Sequence, residues 1–321
     1  MLAFSLSVSA QAPAYVPANG LKGFWPFDGN ANDVGTNINN GNVSGAVPTP
    51  DRFNIPGRAY YFNGTTDYIV VPDHPSLSDY NDLSISVWIK PDDKSGIRCI
   101  VAKWWQYLNC GTQTDSYAIA LINNQIEFAT NFNNYGLSSK PTYTADVKVW
   151  KHLVFIYNHV TATFSIYVDG DLIFTLPAAG PNICASTNDL YFGADVDGHH
   201  HATPMVYRFF HGAIDDIGIW DRPLTPKEIK GLFLSTITGI KESGATANNV
   251  SVYLDAVNTL VFVNPPGEPF YAEVVNALGE LIYSGAPGAP LTIDLSNEKS
   301  GLYFVKIITK DGAVIRKLIR E

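Results

Sequence analysis

The chain has 321 residues, enough for two ordinary domains, and 46% of them are hydrophobic while only 16% are charged. The low charged fraction, with 17 Tyr, 17 Phe and 26 Gly, is typical of an extracellular all-β protein. A net charge of −9 argues against nucleic-acid binding, and no apolar run is long enough to span a membrane as a helix.

The first residues are similar to part of an export signal. Residues 1–10 are apolar and rich in Ser and Ala, and the small residues 7–10 before Gln11 are typical of a cleavage site. No basic segment precedes them, so we expect a truncated signal peptide over 1–11, with a disordered tail as the alternative.

Strand patterns dominate the chain that follows. Residues 83–89 alternate with period two, which predicts a strand. Residues 152–157 are apolar on both parities, as in a strand covered on both faces. Two further runs, 164–168 and 171–174, flank Asp169-Gly170, a pair that favours the tight turn of a hairpin.

One helix is predicted before residue 240, over 225–233. Thr225 can cap its first turn and Pro226 suits the first helical position. Glu228 stands three residues after Thr225, the spacing of a capping box.

The predicted strands fall into two units. Many short strands separated by turn residues predict a β-sandwich or jelly roll over 21–237. A polar stretch over 238–249 is typical of a linker, and a second β-rich unit follows over 250–321.

Five segments of the first unit occur in a characteristic order: GFWPFDGNAND at 23–33, RAYYFNGTTDYI at 58–69, SISVWI at 84–89, YVDG at 167–170 and GAIDDIGIWDRPLT at 212–225. In this order and spacing they resemble the laminin-G-like, concanavalin A-like jelly-roll family. The resemblance implies two packed antiparallel sheets, often a structural calcium ion, and binding of glycans or proteins.

A calcium site is expected at one end of this unit, since Asp215 matches the aspartate that opens the family's final strand. Asp215 shares a strand parity with Ile217 and Ile219, which predicts that it lies at the rim of the core and needs a cation or several donors. Calcium takes six to eight oxygen ligands. The predicted partners in the N-terminal loop are Asp28, Asn30 (through its backbone oxygen) and Asp33. The alternative is that these aspartates only stabilise turns.

Ligand-binding residues are expected among aromatic and polar loop residues. Trp104 and Trp105 are adjacent, so a strand would point them to opposite faces and leave one free to stack on a sugar. The remaining candidates are Tyr107, Asn133, Tyr135, Asp197 and His199. The alternatives are that the rings fill the core, and that the three histidines at 199–201 bind a transition metal or belong to a solvated loop.

The three cysteines leave two pairings open. Cys99 lies in an apolar run and is expected to be buried, whereas Cys110 and Cys184 lie in polar loops. We expect a Cys110–Cys184 disulfide, with Cys99–Cys110 as the alternative.

No catalytic site is predicted. Glu127 and Glu228 are the only glutamates before residue 240, and no pattern of paired catalytic carboxylates, as glycosidases need, is present in the sequence. The sequence also lacks the G-x-S-x-G and H-E-x-x-H motifs.

The second unit contains YAEVVNALGELI at 271–282, SGLYFVKI at 300–307 and the basic segment VIRKLIRE at 314–321. It is similar to the type A C-terminal sorting domain of type IX secretion substrates in Bacteroidetes-type bacteria. The resemblance implies a small immunoglobulin-like β-sandwich and transport across the outer membrane to the cell surface or medium. Arg316, Lys317 and Arg320 would then be available to the secretion machinery, or alternatively form the solvated face of an edge strand. An accessory sandwich without a sorting role is the alternative.

These features together predict a secreted, calcium-stabilised module on the cell surface that binds carbohydrate or mediates adhesion to a surface protein. Two alternatives stay open: a glycan-active hydrolase or lyase on the same fold, and a structural surface protein without a small ligand.

Overall fold

The computed structural model describes residues 12–13, 15–52, 55–78, 80–93, 95–104, 116–123, 125–130, 145–177, 183, 185–197, 205–234, 251–254, 260–264, 271–285, 291–309 and 312–320. At 197, 234, 251–254, 260–264, 291, 309, 312–314, 317 and 319 it describes the backbone alone. The chain divides into two compact units, one formed by 1–49 and 57–238, the other by 50–56 and 239–321.

The first unit is built from strands with one helix. Its strands are β1 (Leu21–Trp25), β2 (Asn42–Ser44), β3 (Val47–Thr49), β4 (Ala59–Asn63), β5 (Tyr68–Val71), β6 (Leu83–Pro91), β7 (Ile97–Lys103), β8 (Tyr117–Ile122), β9 (Gln125–Thr130), β10 (Lys151–Asn158), β11 (Thr163–Val168), β12 (Asp171–Pro177), β13 (Leu190–Phe192), β14 (Asp195–Asp197), β15 (Met205–Tyr207) and β16 (His211–Trp220). A 3₁₀ turn spans Pro75–Leu77, and helix α1 spans Pro226–Leu234.

Two antiparallel sheets form the sandwich. The eight-stranded sheet runs β12-β11-β10-β6-β16-β4-β3, with β1 also paired to β16. The six-stranded sheet runs β2-β5-β13-β7-β8-β9, and β14 and β15 form a separate hairpin. This is the jelly-roll-like arrangement that the sequence predicted.

The main core follows the predicted alternation. On β6 the inward residues are Leu83, Ile85, Val87 and Ile89, all fully buried in one cluster with residues of the facing sheet. The intervening Ser84, Ser86 and Trp88 therefore point to the outer face of the eight-stranded sheet. The predicted hairpin is confirmed as well, because Asp169 and Gly170 have positive φ angles of 52° and 83° between β11 and β12.

A β-bulge in β16 overturns one expectation. Asp216 has a φ angle of 44°, and the register with β6 shifts between Asp215 and Gly218. Ile217 and Ile219 consequently face the core, whereas Asp215 lies opposite Trp88 on the outer face. The prediction that Asp215 shares a face with these isoleucines was wrong, because the extra residue reverses the strand parity.

Helix α1 covers part of this outer face. Its Ile229 and Leu232 join Val154 of β10 and Trp220 of β16 in a second apolar cluster. Strand β10 is therefore buried on both faces, as predicted. The predicted capping box is also confirmed: the Thr225 amide donates to Glu228 Oε2 (2.8 Å) and the Glu228 amide donates to Thr225 Oγ1 (3.3 Å).

The second unit is a smaller sandwich. Its strands are β17 (Ser251–Leu254), β18 (Leu260–Asn264), β19 (Tyr271–Asn276), β20 (Leu281–Gly285), β21 (Leu291–Asp294), β22 (Gly301–Thr309) and β23 (Gly312–Arg320). They form a three-stranded sheet, β17-β18-β21, and a four-stranded sheet, β20-β19-β22-β23. Val274, Ile293, Val305 and Ile307 are central to its own apolar core.

Within the described part of the chain, no helix has the length and apolar character needed to cross a membrane.

Candidate functional site

A polar and aromatic patch lies on the outer face of the eight-stranded sheet. Tyr61 of β4 pairs directly with Ala213 of β16, and Ala213 pairs with Lys90 of β6. Next to Lys90 on the β10 side, Trp150 places its ring 5.3 Å from the Lys90 ammonium. Directly paired residues point to the same side of a sheet, so these side chains project outwards while their neighbours fill the core.

A chain of hydrogen bonds ties Tyr61 to the loop after β6. The Tyr61 hydroxyl donates to Asp92 Oδ2 (2.9 Å) and lies 3.1 Å from His211 Nε2. His211 Nδ1 lies 2.8 Å from Asp93 Oδ2, and Arg98 Nη2 donates to the same oxygen (3.0 Å). Each polar side chain is thereby fixed by at least one other. We call Tyr61, Lys90, Asp92, Trp150 and His211 the Tyr61 patch.

The local backbone brings these groups together. The Asp92 amide donates to the His211 carbonyl (2.9 Å), which holds the loop after β6 against the start of β16. Gly212 follows with a φ angle of 141°, and a Cβ there would lie 2.2 Å from the Lys90 carbonyl oxygen. Only glycine permits this close approach of β16 to β6.

The surroundings shift the pKa values of two members of this network, Tyr61 and Asp93. Burial raises the pKa of the Tyr61 hydroxyl, and its hydrogen bond with Asp92 raises it further. Burial also raises the pKa of Asp93, but hydrogen bonds from Arg98 and His211 outweigh that effect and leave the pKa below its ordinary value. At neutral pH the tyrosine therefore keeps its proton and Asp93 is a carboxylate.

The Tyr61 patch offers two kinds of contact. Tyr61 and Trp150 are separated by three strand spacings, about 14 Å, with the small Ala213 and the Lys90 stem between them. Beside this row, after the end of β6 and at the start of β16, the Asp92 and His211 side chains remain 25% and 33% exposed. A ligand can thus meet apolar ring faces and hydrogen-bonding groups at once.

Trp104, the one predicted ligand residue whose side chain the structure describes, lies outside this patch. Trp104 is half-buried after the end of β7 and packs on the cluster of Cys99, Ala102 and Ala118. The β14–β15 hairpin, which contains the predicted ligand residue Asp197, meets β7 near Cys99, where the Cys99 amide donates to the Arg208 carbonyl. Cys99 is five residues before Trp104, about 16 Å along an extended strand. The other candidates, Trp105, Tyr107, Asn133, Tyr135 and His199, lie outside the described residues, as does the side chain of Asp197.

The predicted calcium ligands are engaged in separate contacts. Asp33 is buried; its Oδ1 accepts the amides of Phe24 (2.9 Å) and Gly35 (2.7 Å), and its Oδ2 accepts that of Asn39 (2.9 Å). This carboxylate organises the loop, as the turn interpretation predicts.

The other three predicted calcium ligands differ in exposure and partners. The Asp28 side chain is 54% exposed and pairs with Arg58 at 3.3 Å. Asn30 accepts the amide of Asn32, and Asp215, only 2% exposed, accepts that of Asp216. Among the described residues, no three His, Cys, Asp or Glu side chains group closely enough to hold a metal ion. These contacts do not give the predicted ligands one shared coordination sphere, and calcium stays a prediction.

The cysteines are only partly described. Cys99 is a buried free thiol, as expected of its apolar run, and burial raises its pKa well above the ordinary value. Cys110 and Cys184 lie outside the described residues, so their predicted pairing stays open.

Sequence reasoning missed the residues of the Tyr61 patch. Tyr61 lies in the quoted segment 58–69, and its outward parity could be inferred from the buried Tyr60 and Phe62 on either side. Its proximity to His211, 150 positions later, depends on the pairing of β4 with β16. No local pattern encodes that pairing.

A family model described as the concanavalin A-like lectin/glucanases superfamily matches residues 63–230, more than half of the chain. The chain belongs to this superfamily. A second model, the secretion system C-terminal sorting domain, matches residues 255–321. The second unit is therefore a sorting domain, and the chain is a type IX secretion substrate that is extracellular or on the cell surface.

Solved structures of varied proteins are similar to this chain. Domain 4 of AbnA, a GH43 extracellular arabinanase from Geobacillus stearothermophilus solved with arabinotriose, is 18% identical with a TM-score of 0.48, covering 66% of this chain and 97% of that one. A mutant Trypanosoma rangeli sialidase is 19% identical with a TM-score of 0.48, covering 68% of this chain, which spans 33% of the sialidase.

The binding domain of botulinum neurotoxin serotype D/C VPI 5993 is 13% identical with a TM-score of 0.50, covering 92% of this chain and 73% of that one. At such identities the likeness concerns the fold alone. No curated protein matches the chain.

Proposed function

We propose that this protein is a secreted module that binds carbohydrate through the Tyr61 patch. The observation that carries the proposal is the pairing of two outward aromatic rings with a fixed network of Tyr61, Asp92 and His211. Superfamily membership and the sorting domain support an extracellular binding role.

Carbohydrate suits this patch because a sugar ring has both apolar C–H faces and many hydroxyl groups. The rings of Tyr61 and Trp150 can pack on C–H faces, and the partly exposed Asp92 and His211 can pair with hydroxyls. Because the network fixes these side chains before the ligand arrives, little conformational entropy is lost on binding.

Binding without catalysis fits the electrostatics best. A glycosidase needs one carboxyl group that keeps a proton and another that is a base or nucleophile. The lowered pKa of Asp93 favours its carboxylate form, so this group does not keep the proton that a general acid needs. The Tyr61–His211–Asp93 chain is the feature that a lyase would use, and an assay for glycan cleavage tests that second candidate.

Two finer parts of the proposal concern biology and metal. If the bound glycan is attached to a surface protein of another cell, binding through the Tyr61 patch would make the two cells adhere. Calcium bound by Asp28 and its loop would stabilise the first unit, so removal of calcium by a chelator would lower the unfolding temperature.

The test is a glycan-array screen of the full chain, followed by titration of the best glycan. Tyr61→Ala and Trp150→Ala are each expected to weaken binding at least about tenfold, because each removes a ring face, worth about 1.4 kcal/mol at that ratio. Tyr68→Ala is the matched control, since Tyr68 is a half-buried tyrosine on the outer face of the other sheet.

Equal losses in all three variants, or no glycan bound by the wild type, would contradict the proposal and shift weight to a structural surface role.

A further inference from the structure

A groove lies at one end of the four-stranded sheet of the sorting unit. It has a volume of about 360 Å³ and runs between the turn at 276–280 and the segment 297–303. That volume is at the lower end of the range of ligand pockets, roughly 300–1,000 Å³, and suits a few side chains of a partner protein.

One wall of the groove is a rigid turn that presents a leucine. Asn276 Oδ1 accepts the amides of both Leu278 (2.9 Å) and Glu280 (3.0 Å), and the Gly279 amide donates to the Asn276 carbonyl (3.0 Å). Gly279 has a φ angle of 82°, which this tight turn requires. On this turn the Leu278 side chain is 85% exposed.

The other wall is held in place by side chains from the sheet. The Tyr303 hydroxyl donates to the Lys299 carbonyl (2.5 Å). Arg320, at the end of β23, donates to the Glu298 carbonyl and to the Ser296 carbonyl (3.4 Å for the latter). The groove therefore has its shape before any partner binds.

Arg320 has a different role from the one that the sequence predicted. Its guanidinium was expected to be available to the secretion machinery, but it is turned to the carbonyls of 296 and 298. Arg316 donates to the Ile315 carbonyl (3.4 Å), and the side chain of Lys317 lies outside the described residues. Arg320 is thus a positioning residue for the groove wall.

We propose that this groove is the surface by which the sorting unit docks on a protein of the type IX secretion machinery. The partner segment presents an apolar side chain to Leu278 and Leu302, next to a basic side chain. A basic group complements the carboxylates of Glu280 and Glu298, which line the groove, where Lys299 is the one cation among the lining residues. A rigid apolar anchor beside a preformed groove, with a charged rim, is the anatomy of a protein-binding hot spot.

The test is export of the full chain from a Bacteroidetes-type bacterium with a type IX system, measured as the secreted or surface-attached fraction. Leu278→Asp is expected to lower that fraction at least about tenfold. Because Leu278 is 85% exposed, the thermal unfolding of the purified variant should match the wild type. Leu281→Asp is the matched control, since Leu281 is 45% exposed and does not line the groove.

Normal export of Leu278→Asp, or equal loss in both leucine variants, overturns the proposal. A second comparison separates docking from folding. Arg320→Ala is expected to lower export by loosening the wall, and adding Leu278→Asp to it should cause little further loss, because both changes act on one surface. Losses that multiply would mean that Arg320 acts elsewhere, and would overturn its positioning role.

Discussion

Glu228 closes the first turn of α1 with contacts that also fix its charge. Arg222 donates to both carboxylate oxygens, at 2.6 Å and 2.9 Å, and the Thr225 amide adds a third bond. The hydrogen bonds from Arg222 lower the pKa of Glu228 from 4.5 to about 2, against the raising effect of burial. A pKa below its unfolded value means that the carboxylate stabilises the fold above about pH 4.5 and loses this effect as the pH falls.

We therefore expect Glu228→Gln to lower the free energy of unfolding by about 1–2 kcal/mol at neutral pH, after allowing for partial exposure. The difference from wild type should shrink below about pH 4.5 and vanish near pH 2. Urea unfolding across this pH range measures it. Lys227→Gln, at an exposed position of the same turn, is the control. A difference that is constant across pH would show that the charge is unimportant.

Asp33 carries a separate prediction, because its buried carboxylate accepts three backbone amides. Asp33→Ala should lower the free energy of unfolding by about 2–3 kcal/mol, since those amides lose their acceptor. Thermal unfolding in excess chelator isolates this loss from any metal effect. Asp33→Asn, which keeps the shape and one acceptor oxygen, should lose less.

The same melts test calcium. If calcium binds the folded form, its addition raises the unfolding temperature of the wild type above that in chelator. Identical temperatures for metal-free wild type with and without calcium would contradict the calcium prediction and leave the loop to the amide bonds of Asp33.

At the scale of the element, the bulge in β16 decides which face Asp215 occupies. Asp216 holds a φ angle of 44°, a region that β-branched residues avoid. Asp216→Val should therefore be about 1–3 kcal/mol less stable than Asp216→Gly, because both lose the carboxylate and only valine is strained. Chemical denaturation of the two variants gives the comparison. Equal stabilities would mean that the bulge relaxes without cost.

Elements encoded by local patterns could be predicted from the sequence. The alternation of 83–89, the Asp169-Gly170 turn and the Thr225–Glu228 spacing each specify their own structure within a few residues, and each is confirmed. Local interactions determine these features almost regardless of the rest of the chain.

Features that depend on register could not be predicted in this way. A single inserted residue at Asp216 reverses the parity on which the placement of Asp215 rested. The Tyr61 patch needs three strands from distant parts of the chain to align, so neither Tyr61 nor His211 stood out among many loop aromatics and histidines. The groove likewise joins a turn near 278 to a loop near 298.

At the scale of the whole molecule, each unit has its own core. Residues such as Ile85 and Phe155 fill the first, and Val274 and Val305 fill the second. This separation is why each family resemblance could be seen in its own segment of the sequence. It also lets the two proposals be tested independently, because the residues of the Tyr61 patch belong to the first unit and the residues of the groove belong to the second.

The buried thiol of Cys99 has a consequence for kinetics. It lies on β7 opposite Ala120, within the six-stranded sheet, and burial keeps it protonated. A thiol reagent can reach it only when this part of the sheet opens, so its labelling rate under native conditions follows the opening equilibrium. The rate of labelling, measured on the peptide that contains residue 99, therefore reports how often the six-stranded sheet opens locally around β7.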